Sequence, residues 1–207
     1  VHVDHEERRI RMYFHGPVDD SATQETGVAL SQDGLSFSAL PRTLGPFYFR
    51  VFKWQRHFYA LWKNGNTGWG GLSRSSDPLT TFAEERPRFL LRMRHAAVRR
   101  VGHELQIVYS RVGDAPESLL LSTVDLRPDW QCWQPSEPQL LLSPEESYEG
   151  IQHPIEASQN GYATGVRQLR DPALLETDGR LLLYYSVAGE EGIAGAELEF
   201  PKTPRPD

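Results

Sequence analysis

Hydrophobic residues along this chain come in short bursts separated by turn residues. Between residues 168 and 198 the pattern predicts three consecutive strands. The first opens with Arg170-Asp171-Pro172, the second is an apolar run from Arg180 to Ser186, and the third runs from Gly192 to Leu198. Asp178-Gly179 predicts a tight hairpin turn, because both central residues of a type I′ turn take positive φ and this pair tolerates it. Ala188-Gly189-Glu190-Glu191-Gly192 supplies the second turn, completing a meander.

The same order of strand, turn and glycine-rich strand recurs upstream. Ile10–His15, Phe58–Lys63 and Leu105–Ser110 match the apolar middle strand. Gly27–Ser31, Trp69–Ser75 and Ser118–Val124 match the third strand, and inner-strand candidates lie at Tyr48–Phe52 and from His95 to Arg99. Taking Phe14, Tyr59, Tyr109 and Tyr185 as equivalent gives steps of 45, 50 and 76 residues, the last enlarged by an insertion. Multi-strand repeats of roughly 40–50 residues predict a β-propeller, whose blades cannot bury their faces alone. A β-sandwich is the alternative, but it does not require the same element order in each repeat. The expected architecture is an all-β single domain over residues 1–200. Its blades fall at about 1–40, 45–90, 93–135 and 166–200, with an insertion at 136–165 and a flexible tail at 201–207.

These motifs resemble the superfamily of five-bladed β-propeller glycosidases, glycoside hydrolase families 43, 32, 68 and 117, with their related phosphorylases. The matching pieces are Arg170-Asp171-Pro172 before a strand and Asp178-Gly179 followed by LLLYYS. Two further stretches match: Gly70 to Leu79 followed by Phe82, and Ala29 to Phe37. The resemblance implies five blades where four are visible. An N-terminal blade missing or truncated is one expectation, and a true four-bladed ring is the other.

A propeller brings the entrances of its inner strands to a common axis, so charged residues there become candidates for chemistry. They are Asp4 with His2 and His5, Arg50, His95 with Arg94, and Arg170 with Asp171. Charges at such sites are costly to bury without each other or a ligand. Glycosidic hydrolysis needs one carboxyl to protonate the leaving oxygen and another to activate water or attack the sugar. By the template the resemblance implies, Glu149, in an Glu149-Gly150 step similar to the family 43 acid segment, is the general acid. Asp4 is then the general base and Asp171 the orienting carboxylate. Arg50, Trp69, His95, His153 and Arg170 are the substrate-binding candidates, Trp69 because a sugar's C–H face stacks on an aromatic ring. The resemblance also admits an axial calcium ion lined by His95, though no cofactor is expected to be required.

Each candidate has a structural alternative: a strand-end cap for Asp4, a solvated loop carboxylate for Glu149, an ion pair for Arg170 and Asp171. The expected function is a glycoside hydrolase acting on a carbohydrate. The alternatives are a non-catalytic carbohydrate-binding or interaction propeller and a phosphate-dependent phosphorylase. In the 207 residues, 39% are apolar, enough for a real core, and the net charge of −6 argues against nucleic acid as a partner. No apolar run is long enough to span a membrane as a helix. Cys132 is the single cysteine, so no disulfide forms within the chain. Its flank, Trp130-Gln131-Cys132-Trp133, predicts a buried outer strand.

Overall fold

A computed structural model of the chain describes residues 1–18, 23–65 and 67–199. The expected tail at 201–207 lies outside the described residues. Among the described residues the fold is all-β, as expected, with four antiparallel sheets met one after another along the chain. The first holds β1 (His2–Asp4), β2 (Arg9–Pro17), β3 (Gln24–Ser31) and β4 (Ser38–Pro46), and the second β5 (Arg50–Trp54), β6 (His57–Lys63), β7 (Trp69–Ser75) and β8 (Glu84–Leu91). The third holds β9 (Met93–Val101), β10 (Glu104–Arg111), β11 (Leu119–Asp125) and β12 (Gln139–Leu142). The fourth has three described strands, β13 (Arg170–Thr177), β14 (Arg180–Val187) and β15 (Gly192–Glu197). Within each sheet, strands neighbour one another in chain order, the meander that makes a propeller blade.

The middle strands β6 and β10 are buried along almost their whole length, which is why they read as continuous apolar runs and not as alternation. The Asp178-Gly179 turn has φ of 50° and 75°, the two positive values that a type I′ hairpin requires. A recurring Ser-x-Asp step closes two of the outer turns. Asp33 Oδ1 accepts the Leu35 and Ser36 N–H groups and the Ser31 hydroxyl, and Asp77 Oδ1 likewise accepts the Leu79 N–H. The Ser36 N–H first, then Leu35 and Ser31, hold the Asp33 carboxyl down at about 2. A depressed carboxyl stabilises the fold above the ordinary carboxylate range, and that contribution is lost as the pH falls through about 2. Urea unfolding of wild type and Asp33→Asn should therefore differ at pH 6 and converge as the pH is lowered through this window.

The chain divides into two compact units. The first comprises Val1–Arg94, Val98–Ile107 and Ser122–Pro138, and the second His95–Ala97, Val108–Leu121 and the chain from Gln139 onward. The core of the first includes Val28, Leu44, Phe49, Phe58, Ala60, Trp62 and Phe82. Beside it Tyr59 stacks on Phe52 at 5.4 Å and meets Trp133 at 4.7 Å between ring centroids. The core of the second is Val108, Leu119, Leu169, Leu183, Tyr185 and Val187. Its last sheet is packed on this side, whereas Leu175, Tyr184 and Ile193 are exposed, Ile193 by 80%.

Two expectations change. Cys132 is exposed in a 3₁₀ turn, Trp130–Cys132, and not on a buried outer strand. Asp129 caps that turn through the Gln131 N–H, and the flanking Trp130 and Trp133 take the buried positions instead. The stretch expected as an insertion also contributes structure: β12 completes the third sheet, and a second 3₁₀ turn forms at Ser147–Glu149. No helix among the described residues is long and apolar enough to cross a membrane.

Candidate functional site

The second unit holds a corner built by Arg170-Asp171-Pro172 at the start of β13. Arg170 pairs with Ser186 and Ala173 with Tyr184, so one extra residue bulges out of the ladder between them. Proline has no N–H to give the ladder, and it disfavours helical backbone in the residue before it. Asp171 takes the left-handed region instead, with φ of 49°, a conformation that costs a residue with a side chain of order 1–3 kcal/mol and persists only where its surroundings impose it.

The bulge turns the Asp171 carboxylate toward two partners. Its Oδ1 lies 2.7 Å from Nδ1 of His95, and its Oδ2 accepts the Ser186 hydroxyl at 3.2 Å. The Asp171 side chain remains 39% exposed and that of His95 20% exposed, so the pair is both oriented and accessible.

Beneath this corner, Arg170 is fully buried. Its Nη1 donates to Glu190 Oε1 at 2.8 Å and to the Gly161 carbonyl at 3.2 Å. Its Nε donates to Gln168 Oε1 at 3.2 Å, its Nη2 donates to the same oxygen, and Glu117 Oε2 lies 3.3 Å from Nε. Glu117 is itself completely buried. The accessible ligand contact expected of Arg170 is thus met by protein groups in this structure, as a buried guanidinium requires.

Glu149 is also buried, in the 3₁₀ turn at Ser147–Glu149. Its Oε2 accepts the N–H groups of Glu145 and Glu146 at 2.7 and 2.9 Å, and its Oε1 accepts the Tyr185 hydroxyl at 2.7 Å. Burial, then the hydrogen bond to this carboxylate, push the Tyr185 phenol well above its ordinary range. Next to it Gly150, with φ of 87°, ends the turn, and a Cβ there would lie 2.6 Å from the Val166 carbonyl oxygen. His153 is half-buried; its backbone N–H donates to the Gly150 carbonyl, and its ring Nε2 lies 3.3 Å from Gln152 Nε2.

The remaining candidates belong to the first unit. Asp4 Oδ1 accepts the N–H groups of Glu6 and Glu7, and Oδ2 accepts Arg11 Nη2 at 2.8 Å. The Glu7 N–H chiefly, with Arg11, lowers the Asp4 carboxyl below its ordinary value. The Arg50 guanidinium lies 3.9 Å over the Tyr48 ring and donates to the Phe49 carbonyl. Trp69 is half-buried at the start of β7, with the Arg88 guanidinium 6.0 Å from its ring. Of the eight residues singled out, the structure therefore joins His95, Asp171 and the neighbouring Arg170 in one corner. Ser186, Glu117, Gln168 and Glu190, which complete it, were not singled out; the visible hint was Glu117, a carboxylate two positions before the apolar run Leu119–Leu121. Among the described residues no group of three or more His, Cys, Asp or Glu side chains is placed to hold a metal ion.

No protein-family model matches the chain. An uncharacterized protein of Acanthamoeba polyphaga mimivirus is 32% identical to it over 216 residues, covering 96% of this chain, and the chain spans 60% of that protein's length. A family 43 β-xylosidase/α-arabinofuranosidase from a compost microbial metagenome, in complex with xylotriose, superposes over 95% of this chain and 68% of its own. Its TM-score is 0.62 at 14% identity. A β-1,2-mannobiose phosphorylase from Listeria innocua, with bound β-1,2-mannobiose, covers 93% of this chain and 55% of its own, with a TM-score of 0.67 at 16% identity. At these identities the likeness speaks for architecture, and the architecture is that of a β-propeller with four blades in this chain.

Proposed function

We propose that the Arg170-Asp171-Pro172 corner binds a carbohydrate and that the chain hydrolyses a glycosidic bond there by carboxylate acid/base chemistry. The observation that carries this reading is Asp171: an accessible carboxylate, held in left-handed backbone, aimed by Ser186 and His95. A carboxylate so fixed accepts sugar hydroxyls without having to be ordered first, and the likeness in fold to carbohydrate-active propellers supports the choice of ligand. Asp171 is the orienting carboxylate in this scheme. Glu149, in the same unit, is the acid, and to act it must exchange one of its three protein donors for the leaving oxygen.

Incubation with a panel of oligosaccharides and aryl glycosides, with and without phosphate, tests the proposal. Turnover independent of phosphate is expected, and Asp171→Asn should lower kcat/KM by about a hundredfold or more. Binding with no turnover contradicts hydrolysis, strict phosphate dependence points to phosphorolysis, and no binding by any member of the panel removes the carbohydrate reading.

The same reading assigns the exposed face of the last sheet. We propose that the fifth blade implied by the sequence resemblance stacks on Leu175, Tyr184 and Ile193. Ile193→Asp should change the stability of the 207-residue chain by no more than about 0.5 kcal/mol. In a longer chain that carries such a blade it should cost about 2–3 kcal/mol or more, since an apolar contact is lost and a charge buried. Equal thermal unfolding shifts in both chains would remove this assignment.

A further inference from the structure

The polar cluster around Arg170 in the second unit encloses the guanidinium and Glu117 completely, with only Glu190 reaching solvent, and has no part in the acid/base scheme. We propose that Glu117 and Glu190, acting through Arg170, are positioning residues that hold Asp171 in its left-handed, ligand-facing conformation. The inference rests on the carbohydrate reading for its purpose, but its geometry stands apart from it.

Three observations carry it. First, the guanidinium is fixed from several directions at once. Glu190 and the Gly161 carbonyl bind Nη1, Gln168 binds Nε and Nη2, and Glu117 lies against Nε. A planar fork held by this many acceptors leaves its own stem and backbone little freedom. Second, the backbone just before Asp171 is pinned as well. The Leu169 N–H donates to the Glu117 carbonyl at 2.9 Å, and the Gly189 N–H donates to the Gln168 carbonyl at 3.0 Å. Third, Glu190 sits in a turn that cannot shift freely. Ala188 and Gly189 both have positive φ, and a Cβ on Gly189 would lie 2.2 Å from the Ala163 carbonyl oxygen. The Arg170 side chain and the backbone just before it are therefore tied to three separate chain segments, around residues 117, 161 and 190. A left-handed residue before proline needs such an imposed frame.

Glu117 is the part of the frame farthest from solvent, its side chain 0% exposed, and Glu190 is the more accessible, at 28%. The two variants therefore differ in risk. Glu117→Gln retains an acceptor but removes the buried charge, while Glu190→Gln removes the charge that bonds Nη1 and leaves the interior untouched.

Crystal structures of the Glu117→Gln and Glu190→Gln proteins, together with titration by the oligosaccharide that wild type binds best, test the proposal. In at least one variant Asp171 should leave the left-handed region, and its Oδ1 should separate from His95 Nδ1. Affinity should fall about tenfold in that variant, and the loss should vanish in an Asp171→Asn background, because residues that act through one group show no additive effect. A general loss of packing would lower affinity in both backgrounds. If Glu117→Gln does not fold, Glu190→Gln decides. An Asp171 whose φ and contacts are unchanged in the folded variants overturns the proposal. If wild type binds no oligosaccharide, the carbohydrate reading fails, and the crystal structures still decide whether Glu117 and Glu190 hold Asp171.

Discussion

Replacing Arg170 with methionine should destabilise the protein by about 3–5 kcal/mol. Methionine approximates the stem but carries no charge, so the fully buried Glu117 loses the guanidinium beside it, and Glu190, Gln168 and the Gly161 carbonyl lose a donor. Removing one side of a buried pair is far more damaging than never having built it. The double variant Arg170→Met with Glu117→Gln should recover part of the loss, because the buried carboxylate that faced the guanidinium is then replaced by a neutral amide. Urea denaturation of the two variants at neutral pH checks both statements. A double variant no more stable than the single one would show that the loss does not arise from the Arg170–Glu117 pair.

Glu149→Ala should cost about 3–4 kcal/mol. Three donors converge on this buried carboxylate, two backbone N–H groups and the Tyr185 hydroxyl, and alanine leaves all three without an acceptor. An unsatisfied buried donor costs about 1–3 kcal/mol, and losses that share one site do not add fully. Tyr185→Phe removes only one of the three bonds and should cost about 1 kcal/mol. In the Glu149→Ala protein the Tyr185 phenol should titrate closer to its ordinary value, since a neighbouring carboxylate no longer opposes its ionisation. An alanine variant as stable as wild type would mean that water replaces the carboxylate at no cost, and that the turn at Ser147–Glu149 does not depend on it.

The middle strands were legible because β6 and β10 are packed on both sides, which leaves an unbroken apolar run in the sequence. Asp178-Gly179 was legible because a type I′ turn needs its two positive φ values and few residue pairs supply them. The fourth strands were not. β4 contains Pro41 and β8 contains Pro87, residues that sequence patterns assign to loops but that an edge strand tolerates on its unpaired side. The Trp130-Gln131-Cys132-Trp133 stretch misled for a related reason. Two tryptophans three apart suit a 3₁₀ turn that buries both, and strand alternation places them on opposite faces.

At the candidate site, the Arg-Asp-Pro step was legible as a corner, because a bulge before proline is a local property of three residues. The environment of Arg170 was hidden in the sequence, since Glu117 and Glu190 come from distant parts of the chain and only the fold brings them to one guanidinium. The same holds for His95, which reaches Asp171 from another strand. Local chemistry marked where a charged group sits, and long-range packing decided which charge faces solvent.

The central claim, a carbohydrate site at Asp171, is tested most directly by a crystal structure of this chain soaked with xylotriose and, separately, with β-1,2-mannobiose and further members of the oligosaccharide panel. The expected result is a sugar whose hydroxyls lie within hydrogen-bond distance of the Asp171 carboxylate, beside His95, with Arg170 still enclosed beneath. A sugar bound elsewhere, with the corner at Asp171 untouched, or a panel in which none binds, contradicts it.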